Sequence, residues 1–277
     1  MGKLIAITSG KGGVGKTMST IHMALAARRS GARVLIVDGD LGLSNVDVVM
    51  GIESRGTLAD VLDGSQPIAN IVSHTPSGID IISSGSGITQ LANMTPLVRS
   101  FLVHELSALP DSYDFVFIDT GAGISESVLT LNAVSHLFVV VTTPEPHALT
   151  DAYALIKVMG EEHDRHECAV IINQALNDSE GKKIASRIAD VAKKFCGSVV
   201  HHAGTVVTDP SIVRAVLTRN VASQGSLSTL CGQGWSTAWW SISQLINSNT
   251  FDQQSGGLGS LWTALSAPAS PRQNLDL

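Results

Sequence analysis

The chain has 277 residues, 44% of them hydrophobic, which is enough apolar material to bury the core of one large α/β domain. With 18 basic against 24 acidic residues the net charge is −6, and no run of Lys or Arg stands ready to neutralise a duplex, which disfavours nonspecific DNA binding through the bulk surface. Cys168, Cys196 and Cys231 are far apart and form no C-x-x-C pair, no apolar run approaches a membrane span of roughly 20 residues, and Met1 leads straight into an apolar strand, so the chain reads as a cytoplasmic protein with free thiols.

Taken in chain order, short and nearly all-apolar runs predict strands at 4–8, 33–37, 79–82, 115–118, 137–142, 169–173 and 199–200. Helix-period stretches at 19–29, 96–109, 151–159 and 184–195 lie between them. Apolar strands alternating with amphipathic helices predict an α/β fold: a doubly wound, mostly parallel sheet with helices on both faces, spanning residues 1–247. A linker rich in Ser, Gly, Gln and Asn is expected over 248–257, and a tail over 258–277. In that tail Leu258, Leu261, Trp262 and Leu265 fall at helical spacing and would make one apolar stripe.

The first strand runs into Gly10, Lys11, Gly12, Gly13, Val14, Gly15, Lys16, Thr17 and Met18, where a helix begins, and this is the G-x-x-x-x-G-K-[ST] pattern of a phosphate-binding loop. Its glycines let backbone N–H groups converge on phosphate oxygens, and the helix N-terminus adds partial positive charge. Lys16 is expected on the β- and γ-phosphates and Thr17 on Mg²⁺, so ATP and Mg²⁺ are the predicted cofactors. Asp38 and Asp40 follow the second strand, at the rim where open α/β sheets bind ligands. Asp119 closes the apolar run 115–118 as a Walker B carboxylate, with Gly121, Ala122 and Gly123 behind it as a loop able to change shape. Asn173 closes another strand with an amide that can both donate and accept.

A lysine directly after the first glycine is not required of an ordinary P-loop. With Lys11 there, residues 10–17 resemble the deviant Walker A motif of the MinD/ParA group of P-loop ATPases. The stretches 40–47, 57–61, 119–124 and 150–157, the last reading T-D-A-Y-A-L-I-K, are similar to the flagellar-number regulators FlhG and FleN of that group. The resemblance implies an ATP-bound homodimer in which Lys11 reaches the phosphates of the other subunit. It assigns catalysis to Lys11, Lys16 and Asp40, with Asp40 positioning the attacking water. It places Asp38 in the Mg²⁺ shell with Thr17 and Asp119, and Asn173 and Asp209 beside the base. The partners it implies are a signal-recognition-type flagellar GTPase, a flagellar transcriptional activator or a switch-complex protein, with peripheral contact at the inner face of the cell membrane in the ATP state. Two other readings stay open: a MinD-type regulator of the division site, and a nucleotide-gated binding module with little turnover.

Overall fold

The computed structural model describes residues 2–40, 45–85, 113–218 and 229–248. The predicted helix 96–109, residues 41–44 of the second strand's loop, residues 249–257 of the linker and the whole tail 258–277 lie outside them.

The strands are β1 (Lys3–Ser9), β2 (Val34–Gly39), β3 (Ser73–His74), β4 (Asp80–Ile82), β5 (Phe115–Ala122), β6 (Leu137–Thr142), β7 (Glu167–Ala175) and β8 (Val199–Val207). They form one sheet in the order β3-β4-β2-β5-β1-β6-β7-β8, parallel throughout except for the short β3. This is the doubly wound, mostly parallel sheet that the alternating pattern predicts. The helices are α1 (Lys16–Arg29), α2 (Val46–Met50), α3 (Leu58–Leu62), α4 (Ile68–Ile71), α5 (Glu126–Val134), α6 (Pro146–His163), α7 (Asp178–Cys196), α8 (Pro210–Leu217) and α9 (Leu230–Asn247). Among the described residues no helix is long and apolar enough to cross a membrane.

The strands are apolar on both sides because both faces of the sheet are covered. Ile5 and Ile7 of β1 face a core shared with α1 and α9, whereas Leu4 and Ala6 face the cores built with α3, α4 and with α5, α6, α7. Strand β8 runs on to Val207, well past the expected residue 200. His201, His202 and Thr205 interrupt the apolar run, but His201 pairs with Glu167 at 2.7 Å and His202 reaches Thr205 at 3.1 Å, so the ladder tolerates them.

Helix α1 sits between the sheet and α9. Every residue from Ser19 to Ala27 is buried, and the His22 ring stacks on Trp235 of α9 with centroids 4.0 Å apart and planes 5° from parallel. Trp235 Nε1 also donates to Ser19 Oγ at 3.3 Å. The helix begins directly from the glycine loop and ends at Ser30 and Gly31, the latter at φ +94, where the chain turns into β2.

Candidate functional site

The expected phosphate and cation residues in the described chain lie at the C-terminal ends of the central strands, on the loops that leave them, or in the first turn of α1. Gly13 and Gly15 adopt φ +80 and +87, the left-handed region open to glycine, which curls the loop after β1 back over the start of α1. At Gly15 a side chain would also run into the Asn173 amide. That amide, buried at the end of β7, donates from Nδ2 to Val14 O at 2.8 Å and ties the loop to the sheet. Val14 turns its side chain into the core, and Met18 packs against the same cluster. Cβ atoms at Gly12 and Gly13 would meet nothing within 4 Å, so the outer face of the loop is an open, backbone-lined cradle of the kind a phosphate chain fills.

Beneath the loop, Asp119 of β5 gathers three side chains of α1. Its Oδ1 accepts from Lys16 Nζ at 3.1 Å and from Thr20 Oγ1 at 3.1 Å, and its Oδ2 accepts from Thr17 Oγ1 at 2.6 Å. Parallel register places Asp38 of β2 directly beside Asp119. Asp38 is buried and accepts the backbone N–H groups of Asp40, Asn45 and Val46 at 3.0, 2.9 and 3.1 Å. Burial, and then the charge of Asp119, push its carboxyl up to about 6 against the pull of those three hydrogen bonds. Two carboxylates side by side with a hydroxyl form an all-oxygen donor set that fits a hard divalent cation. Among the described residues no group of three or more His, Cys, Asp or Glu side chains converges. The residues that could hold a cation here are Thr17, Asp38 and Asp119, and so sparse a set would suit Mg²⁺, which keeps waters and phosphate oxygens as its other ligands.

Asp40 follows β2 at the rim. Its carbonyl accepts from Ser84 Oγ at 3.0 Å, and a Cβ added at Gly121 would lie 3.9 Å from its Oδ1, so the end of β5 and the segment after β4 both close on Asp40. Lys11 points elsewhere: its Nζ lies 2.8 Å from Oε2 of Glu145, the residue that opens α6, with the side chains 34% and 54% exposed. Lys11 holds the Glu145 carboxyl below its ordinary range. The second lysine of the loop is thus at the surface while Lys16 is inside.

Asp209 takes its hydrogen bonds from other residues. It accepts from Ser211 N at 2.8 Å and from Cys231 Sγ at 3.1 Å, joining the β8–α8 turn to the start of α9. The bond from Ser211, and then the one from Cys231, hold its carboxyl below the usual range. Sequence reasoning missed Thr20 and Glu145. Thr20 had a signal in principle, since it lies one turn after Thr17 on the same helix face. Glu145 had a weaker one, an acidic residue before a proline that starts a helix.

A glycine loop between the first strand and helix, with its lysine and threonine turned onto a carboxylate at the end of the adjacent strand, defines a P-loop nucleotide-binding protein. The family model described as an AAA domain matches residues 2–173. Antiactivator FleN of Pseudomonas aeruginosa is 35% identical over 77% of the chain and 76% of that protein. Flagellum site-determining protein YlxH of Helicobacter pylori is 33% identical over 79% of the chain and 74% of its own length. The solved structure of the septum site-determining protein MinD of Pyrococcus horikoshii, complexed with Mg-ADP, superposes with a TM-score of 0.71 at 25% identity, covering 88% of the chain and 97% of that protein. The chain belongs to the MinD/ParA family of P-loop ATPases, among relatives of the FleN and YlxH type, and ATPase activity in general comes with that membership.

Proposed function

We propose that the chain is an ATP-driven dimerisation switch that restrains flagellar number or placement by acting on a flagellar transcriptional activator. The observation that carries the switch is the position of Lys11. It stands at the surface on Glu145, 34% exposed, where a second copy can approach, while Lys16 serves the loop of its own chain.

In this reading the backbone N–H groups of residues 10–17 and Lys16 take the phosphates, and Asn173 and Asp209 flank the base. Thr17, Asp38 and Asp119 would hold Mg²⁺, which supplies charge neutralisation on the phosphates. Lys11 leaves Glu145 and reaches the nucleotide of the partner copy, and Asp40 orients the water that attacks. Little covalent chemistry is asked of the protein; alignment and charge complementarity are its contribution. The activator is preferred over a GTPase or a switch-complex protein because the FleN relative is named an antiactivator. The tail residues Leu258, Leu261, Trp262 and Leu265 would add a peripheral membrane contact in the dimer, where two weak tails act together.

The test is Asp40→Ala. It should bind ATP and accumulate as a dimer in light scattering with saturating Mg·ATP, hydrolyse slowly, and retain a flagellar activator in a pull-down. A variant that stays monomeric under those conditions would remove the switch. A dimer that retains division-site proteins and no flagellar activator would favour the MinD-type role instead.

A further inference from the structure

The geometry points to Thr20 as a positioning residue for the Walker B carboxylate Asp119, a role that rests on the P-loop reading of this site. Thr20 is fully buried in the second turn of α1. Its hydroxyl has two acceptors at the same distance, the Lys16 carbonyl one turn back and Asp119 Oδ1, both at 3.1 Å. A threonine inside a helix ordinarily turns its hydroxyl to the carbonyl four residues earlier, and that alone would be a local, structural bond. The Lys16 carbonyl is neutral, whereas Asp119 Oδ1 is a buried carboxylate oxygen and the stronger acceptor, so the proton goes preferentially to Asp119.

The consequence follows from which donors share Asp119. Its Oδ1 is held by Lys16 and Thr20, and its Oδ2 by Thr17. Lys16 is also the side chain that must turn to the phosphates when nucleotide enters. Once it does, Thr20 is the donor left on Oδ1 among those the structure places there. A carboxylate with a fixed Oδ1 keeps its plane, and its Oδ2 stays aimed at Thr17, where the cation belongs. A carboxylate free on that side could rotate about its last bond. Thr20 therefore does its work when Lys16 is engaged elsewhere, and it acts on cation affinity through Asp119 without touching nucleotide.

The experiment compares the full-length wild type with Thr20→Val, which keeps the branched shape and loses the hydroxyl, and with Thr20→Ser, which keeps the hydroxyl. Binding of a fluorescent ADP analogue is titrated against Mg²⁺, and separately measured in EDTA. Losing one hydrogen bond to a charged acceptor should raise the Mg²⁺ midpoint of Thr20→Val about tenfold. Its affinity in EDTA should stay unchanged, and Thr20→Ser should return the midpoint to the wild-type value. Should Thr20→Val fail to fold, Thr20→Ala, with less bulk and the same missing hydroxyl, should give the same displaced midpoint. An unchanged midpoint in the folded hydroxyl-free variants, or an equal loss of binding with and without Mg²⁺, would overturn the proposal and leave Thr20 as a packing residue of α1. The wild-type protein's own binding reports on the P-loop reading, so its failure would be seen separately.

Discussion

His22 makes the stability of the α1–α9 contact depend on pH in a direction the structure fixes. The ring is buried and stacked on Trp235, its Nε2 has no hydrogen-bond partner among the described residues, and burial, reinforced by the nearby charge of Arg29, lowers its pKa from 6.5 to about 4. The unfolded chain takes up a proton as pH falls below about 6.5, whereas the folded chain refuses one until about 4. Stability contributed by the neutral ring is complete above 6.5 and is lost as pH falls through that window. Between pH 7 and pH 5 the linkage amounts to about 2 kcal/mol, a large share of the stability of an ordinary domain. Urea unfolding at both pH values, for the wild type and for His22→Phe, isolates the effect, because the phenyl ring can keep the stack and the other titrating groups are common to both proteins. The wild type should lose about 2 kcal/mol more than the variant on acidification. Equal losses would mean that His22 is protonated without penalty, and the burial argument would fail.

The remaining predictions concern the loop and its two lysines. Lys16→Ala removes the phosphate contact and should weaken ATP binding by about two decades or more in calorimetry. It also leaves Asp119 without its cation in a site where the pair is 10% and 2% exposed, so the nucleotide-free variant should be less stable by about 3 kcal/mol in denaturant unfolding. Lys11→Ala should bind nucleotide yet fail to dimerise, and mixing it with Lys16→Ala should give partial complementation or dominant inhibition of ATPase rather than additive behaviour. Glu145→Gln loosens an exposed tie, so it should leave the melting temperature unchanged and speed ATP-dependent dimerisation by light scattering.

Most of the sheet was legible because a parallel strand covered on both sides must be apolar at nearly every position, and β1, β2, β5, β6 and β7 are. The P-loop was legible because its spacing is a chemical requirement: Gly13 and Gly15 need positive φ, and Lys16 and Thr17 need the first turn of the helix. What could not be read was pairing across the sequence. Asp38 and Asp119 are far apart in the chain, and their contact depends on β2 lying beside β5, with β5 returning between β1 and β2. Lys11 and Glu145 meet for a similar reason, because β6 lies next to β1 and delivers the start of α6 to the mouth of the loop.

Helix α1 shows why the partners of the buried Ser19 and Thr20 hydroxyls could not be read from the sequence. An amphipathic helix declares its buried side by a stripe, but α1 is covered by the sheet on one side and by α9 on another, so its small and apolar residues run all the way round. In such a helix a polar residue cannot be assigned to solvent, and the periodicity that normally separates core from surface carries no information. Ser19 and Thr20 look alike and are adjacent, yet the turn of the helix sends them to different partners. Ser19 donates to Gly15 O at 3.0 Å and accepts from Trp235, linking the loop to α9. Thr20 reaches Asp119. A buried hydroxyl without a partner costs free energy, so two of them in one buried turn require two acceptors. Which acceptors they are depends on what covers each face, and that is set by the order of the strands and by the return of α9, neither of which is local to α1.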